Sequence, residues 1–248
     1  MRYDPGKHNS GAGDISGILT VDKPATWTSF DVVNFVRSRF KVPKVGHCGT
    51  LDPAATGLLV LVLGKFTAFS AKLSGENKTY RATLRLGVET SSGDLDGEIL
   101  AEKGAGNITA EQAENALRSF IGESMQTPPM VSAVKIGGKK LYELARKGVE
   151  IERTPRPITI FRLNVIRTAL PEIEFELDCS KGTYIRTLCA DAGRKLGCGG
   201  VLAKLRRLRS GEFTLDGAVT EKELKEWDRE QLAARVGALT ASFMEKKA

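Results

Sequence analysis

Hydrophobic positions along the chain fall into short alternating or continuous runs, separated by stretches of helical period. Ile18-Leu19-Thr20-Val21 reads as a short strand running into Asp22-Lys23-Pro24. Thr28 or Ser29 can cap a helix through Arg39, with Phe30, Val33 and Phe35-Val36 near helical spacing. Residues 41–57, rich in Gly and Pro, read as a loop, and the aliphatic run Leu58–Leu63 as a buried strand. Tyr80, Ala82, Leu84, Leu86 and Val88 alternate with polar residues, as in a half-buried strand. Ser91–Gly97 is an acidic turn. Thr109 with Gln112 forms a capping box for a helix reaching Phe120, and Leu141–Arg146 is a short helix stopped by Gly148. Ile158–Ile166 and Ile173–Leu177 are neighbouring alternating strands. Thr183–Leu196 is helical and ends at Gly197. Val201–Phe213 is a basic strand, followed by helices Thr220–Trp227 and Arg229–Leu239. Strands and helices intersperse without regular βαβ spacing, and hairpin-like neighbours favour a mixed, largely antiparallel sheet: an α+β fold.

Composition narrows the class. The 248 residues are 41% hydrophobic and 27% charged, which excludes disorder for the chain as a whole. The longest aliphatic run, Leu58–Leu63, is far short of the roughly 20 residues that span a bilayer. Residues 1–16 are Gly-rich and polar, read as a mobile tail, and lack the apolar segment of a secretory signal. The four cysteines are scattered and only His8 and His47 could join them, so no zinc site is indicated; they read as reduced, cytosolic thiols.

Charge changes the picture more. Lys and Arg total 37 against 30 Asp and Glu, a net charge of +7, which draws a compact domain to polyanions or serves only solubility. Lys204–Arg209 carries four cations in six residues, and residues 135–156 are also rich in Lys and Arg. No G-x-G-x-x-G and no Walker A sequence occurs, so no dinucleotide or ATP is indicated.

Candidate chemistry concentrates in Gly46-His47-Cys48-Gly49-Thr50-Leu51-Asp52-Pro53-Ala54-Ala55-Thr56-Gly57, a loop leading into the buried strand. Glycines permit close backbone approach, and Pro53 restricts Asp52 to extended geometry, which holds its carboxylate at a fixed aim. Turn chemistry alone reads Asp52 as an Asx-turn that caps local amides. Read singly, His47 is a surface or packing histidine, Tyr80 a core tyrosine and Arg186 an exposed helix cation.

This loop resembles the signature of the TruB family of tRNA pseudouridine synthases, G-H-x-G-T-L-D-P-x-A-T-G, at every fixed position. The resemblance runs over residues 17–214 in the family's order. Asp22-Lys23-Pro24 with Thr28-Ser29 is similar to the motif D-K-P-x-G-x-T-S, with Thr26 where Gly is usual. Lys78-Thr79-Tyr80, Pro128–Lys135, Leu141-Tyr142 with Ala145–Gly148, Ser180–Thr187, Leu205-Arg206-Arg207 and Gly211-Glu212-Phe213 follow in register, although an aromatic is more usual near Met130.

The resemblance implies a pseudouridine synthase fold with helices around the sheet and a central RNA-binding cleft. It divides the chain into a tail at 1–16, a catalytic domain at 17–214 and a short helical extension at 215–248, too short for the family's usual PUA domain. It implies an enzyme, using no cofactor or metal, that isomerises uridine to pseudouridine at position 55 in the tRNA T-loop. Asp52 would act near C1′ as nucleophile or sugar-proton base, kept ionised by Arg186. Tyr80 would stack on the base and help move the C5 proton, Leu205 would pack beneath it, and His47 would hold the flipped nucleotide. Lys23, Lys135, Arg146, Arg206, Arg207 and Arg209 are candidate phosphate contacts. The enzyme would be a cytoplasmic monomer acting on the tRNA T-arm. The competing reading is a non-catalytic RNA-folding module using the same cleft. A glycoside hydrolase ranks last, because the loop offers one carboxylate where such enzymes use two.

Overall fold

The computed structural model describes residues 14–130, 132, 135–136, 139–140, 149 and 151–246. In chain order the first elements are β1 (Gly17–Lys23), α1 (Ser29–Arg39), β2 (Val45–His47), β3 (Thr56–Leu63) and α2 (Ser70–Ser74). They are followed by β4 (Lys78–Leu86), β5 (Val88–Thr90), β6 (Ile99–Glu102), α3 (Ala110–Arg118) and β7 (Gly122–Gln126). Next come β8 (Lys135–Ile136), β9 (Lys139–Lys140), β10 (Arg156–Ala169), β11 (Glu172–Cys179) and α4 (Ile185–Lys195). β12 (Gly200–Ser210), β13 (Phe213–Thr214), α5 (Glu221–Glu226) and α6 (Arg229–Glu245) complete the series. None of the described helices is long and apolar enough to cross a membrane.

The chain divides into two compact units, one of 1–53, 58–74 and 215–248 and the other of 54–57 and 75–214. In the first, Thr28 caps α1 through a capping box with Asp31, as its sequence predicts. Leu19 and Val21 of β1, Leu59, Leu61 and Leu63 of β3 and Val32, Val33 and Val36 of α1 share one core with Leu232 and Val236 of α6. Backbone bonds from Val219 to Thr20 and from Asp22 to Val219, each 2.9 Å, tie the C-terminal segment to β1. The segment after residue 214 is therefore part of this unit's core. Ile15 is buried and the Ser16 hydroxyl donates to the Leu63 carbonyl at 3.3 Å, so ordered structure starts before residue 17.

In the second unit β12, β4, β11, β10 and β7 lie side by side, all antiparallel, and β12 also pairs in parallel with Thr56-Gly57. The sheet is thus mixed and largely antiparallel, as expected. Alternation sets its faces. Tyr80, Ala82 and Leu84 of β4 and Ile173, Phe175 and Leu177 of β11 are buried on one face. α4 packs on that face against β12 and β4, burying Leu188, Cys189 and Ala192. On the other face, β11 presents Glu172, Glu174, Glu176 and Asp178 opposite Arg85, Thr83, Arg81 and Thr79. All four cysteines are buried free thiols, and burial pushes Cys179 up to about 11.

Among the described residues, five strands lie where the sequence shows no alternation: β2 within the expected loop, β6 in a two-stranded ribbon with β5, β7 at the sheet edge, and β8 and β9 paired with each other. Gly87, at φ 87°, ends β4 before Val88 and separates β5 from it. The expected helix at 141–146 falls outside the described residues.

Candidate functional site

In the first unit the signature loop is held from both sides of Asp52. The Ser29 hydroxyl donates to the Leu51 carbonyl at 3.1 Å and accepts from the Leu51 N–H at 2.8 Å. On the other side, the Pro53 carbonyl accepts from the Lys23 ammonium and from the Thr26 N–H, each at 3.1 Å. The Lys23 ammonium also donates to the carbonyls of Pro24, at 2.8 Å, and Trp27, at 2.5 Å. Thr26 sits at φ 75°, a region that costs a β-branched residue about 1–3 kcal/mol. Two neighbouring backbone positions of Asp52 are thus fixed by groups that do not involve its carboxylate. His47 ends β2 opposite Leu61 of β3, half-buried, and its carbonyl accepts from the Ser70 hydroxyl at 3.4 Å.

The sequence placed Lys23 among the phosphate contacts, and the structure corrects this. Lys23 is 0% exposed. An ammonium with no surface cannot reach a backbone phosphate, and its bonds make it the brace of the Asp52 loop. Arg207, only 1% exposed, is corrected for the same reason: it lies opposite Tyr80 on the buried face.

The second unit brings Tyr80, Leu205 and Arg207 to one face. Tyr80 of β4 lies between Leu177 of β11 and Arg207 of β12, and Leu205 faces Ala82 next along β4. Directly opposed residues stand about 4.5–5.5 Å apart at Cβ, so they form a contiguous surface. Tyr80 is 9% exposed and Leu205 half-buried. The last residues of the signature meet this strand. Thr56 and Gly57 pair with Arg206 and Arg207, and a Cβ on Gly57, at φ 97°, would stand 2.3 Å from the Arg207 carbonyl oxygen. Only glycine allows that approach.

Arg186, in the first turn of α4, is buried rather than an exposed helix cation. One terminal nitrogen donates to the Ser92 carbonyl at 3.0 Å, and Nε lies 3.7 Å from Asp94 Oδ2. Asp94 is itself held by the Ser92 hydroxyl and accepts from the Asp96 N–H at 3.2 Å. The acidic tract read as a simple turn therefore orients Arg186. Sequence reasoning missed Asp94, although a compact acidic tract in a basic chain was a signal for it.

Of the remaining cations, Arg206 is half-buried and donates to the Thr56 hydroxyl at 3.4 Å. Lys135 is described only as part of the β8–β9 ribbon, and Arg146 lies outside the described residues. Arg209 is tied to the acidic stripe of β11. It lies 3.7 Å from Asp178 and donates to the Thr79 hydroxyl at 3.0 Å, while Arg162 donates to Asp178 at 2.9 Å. Burial pushes the Asp178 carboxyl up, but the Thr79 hydroxyl and the Arg162 and Arg209 guanidinium groups outweigh it and hold it below its ordinary value. A carboxylate depressed in the folded state stabilises the fold above its unfolded pKa, and that contribution disappears as pH falls through the folded value. Asp178→Asn should thus cost about 1–2 kcal/mol at pH 7. The difference from wild type should shrink as pH falls from 7 to about 3, because that range crosses the ordinary aspartate pKa on the way to the lower folded one. Urea unfolding at both pH values measures this; an equal difference at both would exclude the charged network as its source.

Known proteins share this sequence and fold. The family model for the TruB family pseudouridylate synthase N-terminal domain matches residues 37–185, and that for the tRNA pseudouridylate synthase B C-terminal domain matches 186–241. The tRNA pseudouridine synthase B of Alkaliphilus oremlandii is 50% identical over 211 residues, 85% of this chain and 70% of that protein. Its namesake in Clostridium tetani is 45% identical over 212 residues, 86% of this chain and 73% of that protein. A crystal structure of a Cbf5-Nop10-Gar1 complex matches with a TM-score of 0.66 and 28% identity, over 84% of this chain and 53% of that one. This chain therefore spans about half the length of that solved chain, and about seven-tenths of those two relatives. With the family models covering 37–241, the chain belongs to the TruB family of pseudouridylate synthases.

Proposed function

We propose that this chain isomerises uridine to pseudouridine at position 55, in the T-loop of tRNA, as a monomer in the cytoplasm. The observation that supports the reading is the clamp on the signature loop: Ser29 at Leu51, with Lys23 and Thr26 at Pro53, fixes the backbone on both sides of Asp52. A preset aim is what a reacting group needs, since misplacement by about 1 Å can cost 100-fold in rate.

The reaction balances within the nucleotide. The N1–C1′ bond breaks, the base turns, C5 bonds to C1′, C5 gives up its proton and N1 gains one. No oxidant, water or nucleotide is consumed. Asp52 acts as nucleophile at C1′ or as base for a sugar proton, and either role requires the carboxylate. By resemblance to the family, Arg186 is assigned as the cation that favours that ionised form. Tyr80 stacks on the flipped base and its hydroxyl helps move the C5 proton, while Leu205 supports the base from below. His47 holds the flipped nucleotide. Lys135, Arg146 and Arg206 take phosphates of the T-arm, whose contacts offset a flipping cost of a few kcal/mol.

Purified protein incubated with unmodified tRNA transcript, followed by nuclease digestion and mass-spectrometric mapping, tests this directly. Pseudouridine at position 55 is expected. Its absence, or its appearance only at other positions, would overturn the assignment.

A further inference from the structure

We propose that Gln126 is a positioning residue for Arg186, acting through a two-point contact between its side-chain amide and the backbone of Tyr184. The inference rests on the role given to Arg186 under Proposed function.

A helix begins with N–H groups that have no partner within the helix, and Ser, Thr, Asp or Asn ordinarily supplies one at the N-cap. α1, α3, α5 and α6 all start with such a side chain in a capping box. α4 does not: its N-cap is Tyr184, in extended geometry at φ −99° and ψ 110°, with no side-chain cap bond. Gln126, at the end of β7, meets that residue instead. Its Oε1 accepts from the Tyr184 N–H at 2.7 Å, and its Nε2 donates to the Tyr184 carbonyl at 3.0 Å.

The pairing needs a primary amide, which carries one acceptor and one donor side by side. Two bonds to one residue fix the direction of its backbone as well as its position. Gln126 is 5% exposed, so water cannot readily replace either bond. The strand end is itself braced, by the register of Gln126 with Arg156 of β10 and by an Arg153 bond of 3.2 Å to the Pro128 carbonyl.

Arg186 stands two residues beyond Tyr184, in the first turn. It is 4% exposed and must meet both the Ser92 carbonyl and Asp94. A turn started in another direction would carry the guanidinium away from both. Gln126 thus sets where Arg186 points without touching any reacting atom.

The test uses the full chain with tRNA transcript and two variants, Gln126→Glu and Gln126→Ala. A carboxylate in place of the amide still accepts from the Tyr184 N–H but repels the Tyr184 carbonyl. Protonated, it regains a donor, and burial shifts that protonation toward neutral pH. At pH 8, kcat of Gln126→Glu should fall about tenfold, with KM changed by less than about threefold. Between pH 8 and about pH 5.5 the ratio of its kcat to wild type should recover by about fivefold or more. Gln126→Ala should be slow at every pH. Amides 185–188 should exchange faster in Gln126→Ala, and in Gln126→Glu only at the higher pH.

An unchanged kcat, a flat ratio across pH, or losses that simply follow the folded fraction would overturn the proposal. If wild type itself forms no pseudouridine, the assigned reaction fails. Amide exchange then still decides on Gln126, and unchanged exchange at 185–188 would refute its hold on the helix.

Discussion

Asp52→Asn should fold and bind tRNA much as wild type does, yet lose turnover by at least the roughly 10²–10⁴-fold that one acid–base group supplies. Contacts from Ser29, Lys23 and the Thr26 N–H hold its loop, and they end on the backbone of Leu51 and Pro53. None requires a carboxylate at position 52. Pro53 restricts position 52 to extended geometry whichever side chain it carries. Asn matches Asp in size but has no negative charge, so the substitution removes the carboxylate and leaves these contacts in place. Pseudouridine formation under single-turnover conditions, with circular dichroism and tRNA binding as controls, measures the effect. An Asn variant that retained a tenth of wild-type turnover would refute the assignment of Asp52.

Tyr80→Phe should bind tRNA normally and turn over about 100-fold or more slowly, within the range of general acid–base catalysis. The ring faces the side of the sheet that Leu205 and Arg207 share, where a stacked base needs only an aromatic surface. Moving the C5 proton needs the hydroxyl as well. Tyr80→Leu should therefore lose rate and weaken base capture together. Equal rates for Phe and Tyr would leave Tyr80 with stacking or packing alone.

Where one face of a strand is solvated, its register could be read directly. The alternation of β4 and β11 gave their buried faces, and Thr28 and Thr109 announced α1 and α3 because a capping box is a local device. β6 and β7 lack that signal: Ile99, Leu100 and Met125 are exposed apolar residues, so an apolar position there does not mark a buried face. α4 begins at Ile185 rather than Thr183 because a residue 58 positions away holds Tyr184 extended. The proposed chemical residues Asp52, Tyr80 and Arg186 came from motif resemblance, whereas their supports required coordinates. Lys23 and Arg207 show why. A sequence displays a charge but not its depth, and β12 changes register at Leu202/Lys204 and again at Arg207/Arg209. Each shift breaks the alternation from which the inward-facing residues would have been counted.

The unit that holds the Asp52 loop closes its core with two parts of the chain far apart in sequence, residues 15–63 and α6. On the ribosome these parts emerge at different times. β4 to β12 can assemble as soon as residue 210 is out, but Leu59, Leu61 and Val36 must wait for Leu232 and Val236. At roughly 5–20 residues per second the wait is on the order of ten seconds or more. Through that interval the nascent chain carries an uncovered aliphatic surface, and a stall before residue 232 would leave it open to chaperones and to aggregation.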